Sequence, residues 1–352
     1  MNRRVVLRFA AVGVGCVFLS AFAASRVSRA QSSPSTTWKV SIVIPPKLVA
    51  GQEATVAILG VDGRLAEGIT VDFGEDQRRK TDSSGRATFT VPTGVRFVIA
   101  NALGSSVASL VDDAVPPSTA QGMKVPAVIA QRDQFLIWGT EFHGDAQQNH
   151  VSFGGDPAFV LAASPECLVV AAGTRAIPGP VKMLISSPPA QWNAASTVVG
   201  LNFDPPLPPL EPDKRSRLQL HVQGSALPLR VLVSNKTPRI LHFIRGDETQ
   251  VTTSGGEQNT ASIEVQALAT GDFSFDARLL PDPDADMARR FLEAAEMLAP
   301  RDDKNQIKKL ADRLKRHPED SLHVWVELRN METLTIGGDF RTLLEAATSA
   351  LE

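Results

Sequence analysis

Between residues 38 and 112 the chain breaks into short apolar runs separated by turn-forming residues: Trp38 to Ile44, Ala54 to Leu59, Ile69 to Phe73, Arg86 to Val91, Val95 to Ala100 and Val107 to Val111. Runs of this length, closed off by Gly, Pro, Asp and Ser, are strand punctuation and are too short to be helices with a buried face. In Arg86 to Val91 the residues Ala87, Phe89 and Val91 fall on one side, and Arg86, Thr88 and Thr90 on the other. That alternation is what a strand with one face in a core and one in water requires. Asp82-Ser83-Ser84-Gly85 supplies the tight turn before it.

The stretch Lys80 to Phe89 resembles a hairpin of bacterial Ig-like and carboxypeptidase-regulatory-like domains, whose role in those families is that of a spacer or a binding sandwich. After the composition-defined linker Asp113 to Gly122, with Pro116-Pro117-Ser118-Thr119, a second module runs from Val125 to Phe203. Here Phe135-Leu136-Ile137-Trp138-Gly139-Thr140-Glu141-Phe142 and Val151-Ser152-Phe153-Gly154-Gly155 resemble the IPT/TIG immunoglobulin-like domain. Ala163-Ser164-Pro165 with Leu168 to Val170, and Gly179-Pro180-Val181 with Met183 to Ile185, come in the order of that family. Ala130-Gln131-Arg132-Asp133 departs from its usual small-residue turn. The resemblance implies a positive-φ turn at Gly139 and a Phe142 side chain filling the space between two sheets.

Pro205, Pro206, Pro208, Pro209 and Pro212 then make an extended joint. Leu218 to Val222 and Leu229 to Val233 alternate cleanly, and further strands are expected at Arg239 to Phe243, Ala261 to Ala267 and Phe273 to Leu279, with Gly255-Gly256 as a turn. The spacing changes after Leu280: Met287, Phe291, Ala294, Ala295 and Leu298 share one helical face, as do Ile307, Leu310, Ala311 and Leu314, with Pro300 and Pro318 as delimiters. Leu322 to Leu328 reads as a strand, and Phe340, Leu343, Leu344, Ala347 and Leu351 outline a last helix. The helices are expected to dock on the third sandwich, because two apolar stripes would otherwise face water.

The expected fold is therefore mainly β: tandem immunoglobulin-like β-sandwiches followed by an α+β C-terminal domain. Its segments are 1–30, 31–113, 123–204, a Pro-rich linker 205–213, and 214–352. The first of these is an export signal, with Arg3, Arg4 and Arg8 before an uncharged stretch Phe9 to Ser25 and a small-residue end at Ser28-Arg29-Ala30. Asn2 to Arg8 resembles a twin-arginine signal; an ordinary secretory signal and an uncut membrane anchor are the alternatives. Cleavage removes five of the 36 basic residues and none of the 38 acidic ones, which leaves the mature chain at −7. Such a balance argues against nucleic acid. Export points to the periplasm, the cell surface or the medium, with membrane contact only if the signal is kept.

With Cys16 in the signal, only Cys167 remains in the mature chain, so no internal disulfide is available; a small buried strand thiol is the expected role. Asp282, Asp284, Asp286 and Glu293 approximate a calcium loop, but Met287 stands where that loop needs glycine, and a helix N-cap explains the acids better. His143 and His150 flank a polar loop with only Asp145 as a further ligand, too few for zinc. No cofactor and no catalytic residues are assigned. The partner-binding candidates are Lys304, Lys308 and Arg313 on a basic helix, which would suit an acidic partner, and Trp192 as an aromatic for sugar stacking. The reading is an exported, non-catalytic binding or scaffolding protein for a protein or glycan. Its competitor is a polysaccharide-acting hydrolase, or an accessory module of one, with activity in the C-terminal region.

Overall fold

The computed structural model describes residues 40–74, 77–113, 122–173, 176–204, 211, 213–244, 247–332 and 338–352, all within one compact unit. The expected export signal with Cys16, the expected linker Pro116–Thr119 and the prolines at 205, 206, 208, 209 and 212 lie outside these residues.

The first sandwich holds β1 (Ser41–Val43), β2 (Lys47–Val49), β3 (Glu53–Leu59), β4 (Thr70–Asp72), β5 (Arg78–Lys80), β6 (Arg86–Thr90), β7 (Phe97–Ala102) and β8 (Ser105–Asp112). One sheet runs β1-β3-β6 and the other β2-β8-β7-β4-β5. Between them lie Ile42, Leu48, Val56, Ile58, Phe73, Phe89 and Val98, and the rings of Phe73 and Phe89 stack at 3.9 Å. The turn expected at Asp82–Gly85 forms: Gly85 has φ +69, and Asp82 accepts hydrogen bonds from the backbone N–H groups of Ser84 and Arg86. A Cβ on Gly85 would stand 2.7 Å from that of Leu65, so glycine is required there on two counts.

The middle sandwich holds β9 (Val128–Ala130), β10 (Gln134–Trp138), β11 (His150–Phe153), β12 (Asp156–Ser164), β13 (Cys167–Ala171), β14 (Gly179–Ser187) and β15 (Ala190–Phe203). Strand β12 belongs to two layers: its start pairs with β11, its remainder with β13. The third sandwich is built from β16 (Arg215–Gln223), β17 (Arg230–Asn235), β18 (Leu241–Phe243), β19 (Glu248–Thr252), β20 (Thr260–Ala267) and β21 (Phe275–Leu279), with β16-β20-β18 facing β19-β17-β21 across Leu220, Val231, Val233, Phe243 and Val265.

The three sandwiches are joined through their sheets. Thr55 of β3 pairs with Ala163 of β12, and β15 pairs with β14 along its first part and with β16 at Gly200 to Phe203. The Arg86 guanidinium donates to the carbonyls of Val160 (2.7 Å) and Leu161 (3.1 Å). The buried Thr55 hydroxyl donates to Gly144 O at 2.6 Å and accepts from Ala146 N–H at 3.0 Å. Val43, Ala57, Leu161, Ala162 and Val169 form an apolar core across this joint, and Ala130, Val199 and Val222 form one across the next.

The helices are α1 (Ala285–Leu298), α2 (Arg301–Arg316), α3 (Ser321–Glu332) and α4 (Asp339–Leu351). Two expectations are corrected here. Leu322 to Leu328 is helical, not a strand: Ser321, Val324, Leu328 and Met331 are buried at helical spacing, while Leu322 and Val326 are exposed. The β-branched, aromatic composition of His323-Val324-Trp325-Val326 favours a strand locally, and packing overrides it. The second concerns docking. The apolar stripes of α1, α2 and α4 share a core with Ile99, Ala108 and Leu110 of the first sandwich, against which Phe97 also packs. Contacts with the third sandwich are polar: Arg278 of β21 pairs with Glu352, and Arg329 of α3 bonds Glu248 of β19 at 2.6 Å. The physical reason lies in the two faces on offer. The outward side of β7-β8 is apolar, whereas that of β17-β19-β21 places Gln250 and Arg278 on either side of Leu232. Apolar stripes bury more favourably on the former.

Candidate functional site

The residues singled out from sequence sit in separate places. Lys304 and Lys308 are exposed on α2. Arg313 is engaged, bonding Asp320 at 2.7 Å and reaching Glu327 at 3.6 Å, so it ties α2 to the start of α3. Trp192 of β15 is half-buried, with its ring edge-on to Phe142 at 5.4 Å. Trp325 is half-buried in α3, packed on the helical core with the Arg329 guanidinium 5.6 Å from its ring centre.

In the acidic run, Asp284 caps α1 by accepting the Met287 N–H at 2.9 Å, and Asp286 and Glu293 both bind Arg289. His143 faces the Pro188 carbonyl at 2.8 Å, and Asp145 caps the short helical turn before Asn149. Among the described residues no group of three or more His, Cys, Asp or Glu is placed to hold a metal. Phe142 fills the inter-sheet space as expected. Gly139 differs from expectation: Glu141 (φ +70) takes the left-handed conformation, and Gly139 is needed because a Cβ there would meet the Phe142 ring at 2.8 Å. At the departure from the family pattern, Arg132 adopts φ +65 in the β9–β10 turn.

Several titratable groups are displaced from their usual ranges at the joints between layers. Burial pushes the Asp133 carboxyl up, although it accepts N–H groups from Gln134 (2.8 Å) and from Leu279 of the third sandwich (3.2 Å). Burial, then repulsion from Asp112, raises Glu166. Burial lowers Arg86 and raises the thiol of Cys167, which lies fully inside β13. The sequence expectation of a small buried strand thiol is thus what is found.

The open surface lies elsewhere, on the outward side of the sheet β12-β11-β14-β15. Val151, Phe153, Met183, Ile185 and Ala158 point into the sandwich, so their alternating neighbours point out. One cross-strand row is Pro157, Ser152, Leu184 and Asn193, in register across four strands. The next is His150, Ser186 and Gln191, while Phe159, one residue beyond the last β11–β12 pair, is in register with Ala171 of β13. Phe159 is 60% exposed and Leu184 37%. Leu184 lines a groove of about 190 Å³ together with Asn149, His150, Ser152, Pro157 and Ser186; Phe159 lies outside its lining. The sequence reading missed this surface. Ala158-Phe159-Val160-Leu161-Ala162-Ala163 is a continuous apolar run, because β12 crosses from an exposed sheet into the joint, where both of its faces are covered. Period-two alternation, the one available signal, is erased there.

No family model and no curated protein matches the sequence. Solved structures with similar segments include the SGBP-B protein of a Bacteroides ovatus mixed-linkage glucan utilization locus, in complex with a mixed-linkage heptasaccharide. It is 9% identical, with 66% of this chain and 59% of that chain covered and a TM-score of 0.18. The I9–I11 tandem of titin is 11% identical over 68% of this chain and 95% of that chain, with a TM-score of 0.21. Domains 1–6 of the surface layer protein SbsC are 13% identical over 68% and 38%, with a TM-score of 0.16. Scores of this size carry no functional inference; the sheets and cores described above identify the chain as mainly β, with immunoglobulin-like sandwiches and a helical C-terminal part.

Proposed function

We propose that the protein is an exported, non-catalytic binding and scaffolding protein, with an IPT/TIG-like middle sandwich that presents its outer β12-β11-β14-β15 face to a glycan or protein of the cell surface. The observation that carries this reading is the contrast between joints and face. The buried Thr55 and the half-buried Arg86 and Asp133 are spent on holding one sandwich to the next, whereas Phe159 stands exposed on the outward side of a sheet whose end strands continue into its neighbours. A rigid scaffold that displays an apolar residue among polar neighbours is suited to recognition, because little ordering cost is added on binding. Lys304 and Lys308, exposed on α2, extend the reading to an acidic partner at a second surface.

The test is saturable binding of the purified full-length mature protein to the cell-envelope fraction of the producing organism. Binding should fall in the double variant Phe159→Asp/Leu184→Asp and, for the second surface, in Lys304→Glu/Lys308→Glu, with melting temperatures unchanged. Binding that neither variant alters would overturn the assignment of these surfaces. Release of reducing sugars from the envelope in the same incubation would favour the hydrolase reading.

A further inference from the structure

The first half of β15 leaves one backbone edge open. The Thr197 N–H donates to the Ala127 carbonyl and the Val199 carbonyl accepts from Gln131, so odd-numbered residues of β15 turn their backbone groups towards β9 and even-numbered ones theirs towards β14. Strand β9 runs beside Thr197 to Val199 only. Along Ala190 to Ala195 that side pairs with no strand among the described residues, which leaves the N–H and C=O groups of Gln191, Asn193 and Ala195 facing out. All three residues are exposed. Edges of the other sheets carry charge, which keeps copies of a sheet from pairing. In the sheet β2-β8-β7-β4-β5 one edge strand is Arg78-Arg79-Lys80 and the other starts at Lys47; in β19-β17-β21 the edges hold Glu248, Asp276 and Arg278. Ala190 to Ser196 has neither charge nor proline.

We infer that this edge pairs with the same edge of a second copy of the chain, antiparallel about a two-fold axis at Asn193. The open donors and acceptors of Gln191, Asn193 and Ala195 then bond their equivalents in the other copy, as an isologous contact requires. The register follows from side-chain size. Asn193 meets Asn193 of the second copy, Gln191 meets its Ala195 and Trp192 meets its Ala194, so each bulky residue off the axis faces a small one. On the inner side, the half-buried Trp192 and Ala194 extend the core of the middle sandwich towards that of its copy. Like charges stay apart. Lys182, exposed one strand in from the edge and in register with Ala195, lies about 20 Å from its counterpart at ordinary strand spacings, beyond the screening length of about 8 Å. The sheet β12-β11-β14-β15 thereby continues into its copy, and the two outward faces lie side by side, whatever those faces bind. A contact of one short strand per copy is well under the about 800 Å² per partner of stable complexes, so the dimer forms reversibly and at high concentration.

Sedimentation velocity of the chain from residue 31 onward, at rising concentration, should show a monomer–dimer equilibrium. Asn193→Lys sets two like charges opposite each other on the axis, and Asn193→Pro removes a donor at an edge position that tolerates proline. Each should weaken dimerisation by about tenfold or more with the melting temperature unchanged. Mild oxidation reads the register. Asn193→Cys should link two copies, because a hydrogen-bonded pair holds its Cα atoms about 5.5 Å apart, within disulfide range. Ala195→Cys, about 14 Å from its own counterpart in this register, should stay unlinked. The buried Cys167 does not compete. A monomer at every concentration, or a dimer that both Asn193→Lys and Asn193→Pro leave intact, would overturn the inference. So would linkage through Ala195→Cys as ready as through Asn193→Cys.

Discussion

Asp133 shows how a single side chain can join layers and still carry a cost. Its carboxylate accepts the Leu279 N–H from the third sandwich while burial raises its pKa above the ordinary Asp value. The folded state therefore holds this proton more tightly than the unfolded one. Its contribution is most favourable below about pH 4, and stability is lost as pH rises from the unfolded value through the folded one. Asp133→Asn keeps an acceptor for Leu279 and removes the titration. The melting temperature of the variant minus that of the wild type should be near zero or negative in acid and should rise towards neutral pH; a difference that falls over that range would refute the account. Gly144 is a second such position, for a steric reason. A Cβ there would stand 1.9 Å from the carbonyl oxygen of Glu53, a backbone atom that cannot turn aside. Gly144→Ala should force the first two sandwiches apart locally and lower stability by about 1–3 kcal/mol, as expected for overpacking, measured by denaturant unfolding.

The helices show how an element's stripe finds its face. Phe291 is 1% exposed in a core that also contains Ile99 and Leu110 of the first sandwich. Phe291→Ala should cost about 3–5 kcal/mol, and Leu110→Ala about 2–5 kcal/mol. Because both side chains line one core, the double variant should depart from additivity, a coupling that a double-mutant cycle measures. Removing the chain after Leu280 should then raise hydrogen exchange in β7 and β8 first, since their outward side would lose its cover. Faster exchange in β16 and β20, with β7 and β8 unaffected, would place the helices on the third sandwich instead. The pattern of apolar residues in α1, α2 and α4 was readable from spacing alone; α3 was not, because Leu322, Val324, Val326 and Leu328 alternate as a strand would, although only Val324 and Leu328 are buried in the helix.

Among the described residues, adjoining sandwiches are held together by shared ladders and by hydrogen bonds across their boundaries. Thr55, Arg86 and the paired ends of β12 and β15 make each boundary a continuation of a sheet. Calorimetry of the chain from residue 31 onward should therefore give one cooperative transition, with calorimetric and van't Hoff enthalpies in agreement. Thr55→Val/Arg86→Ala, which removes two side-chain anchors of the first joint, should split or broaden it; an unchanged single peak would show that the remaining apolar contact of Val43, Leu161 and Val169 and the bonds of Ser164 and Gln147 suffice.

Most strands and the helical stripes were legible in the chain because period two and period 3.6 are local properties, set by which side of a backbone meets water. Thus Ala87, Phe89 and Val91 could be assigned to a core from their own neighbours. The destination of the α1 and α2 stripes could not, since Ile99 and Leu110 announce only that a face is apolar and not what covers it. The exposed face around Phe159 was hidden for the complementary reason: in a run such as Phe159 to Ala163, residues bound for the joint and a residue bound for solvent have the same hydrophobicity. Burial is settled by the partner surface that folding brings up, and that surface belongs to segments dozens to hundreds of residues away.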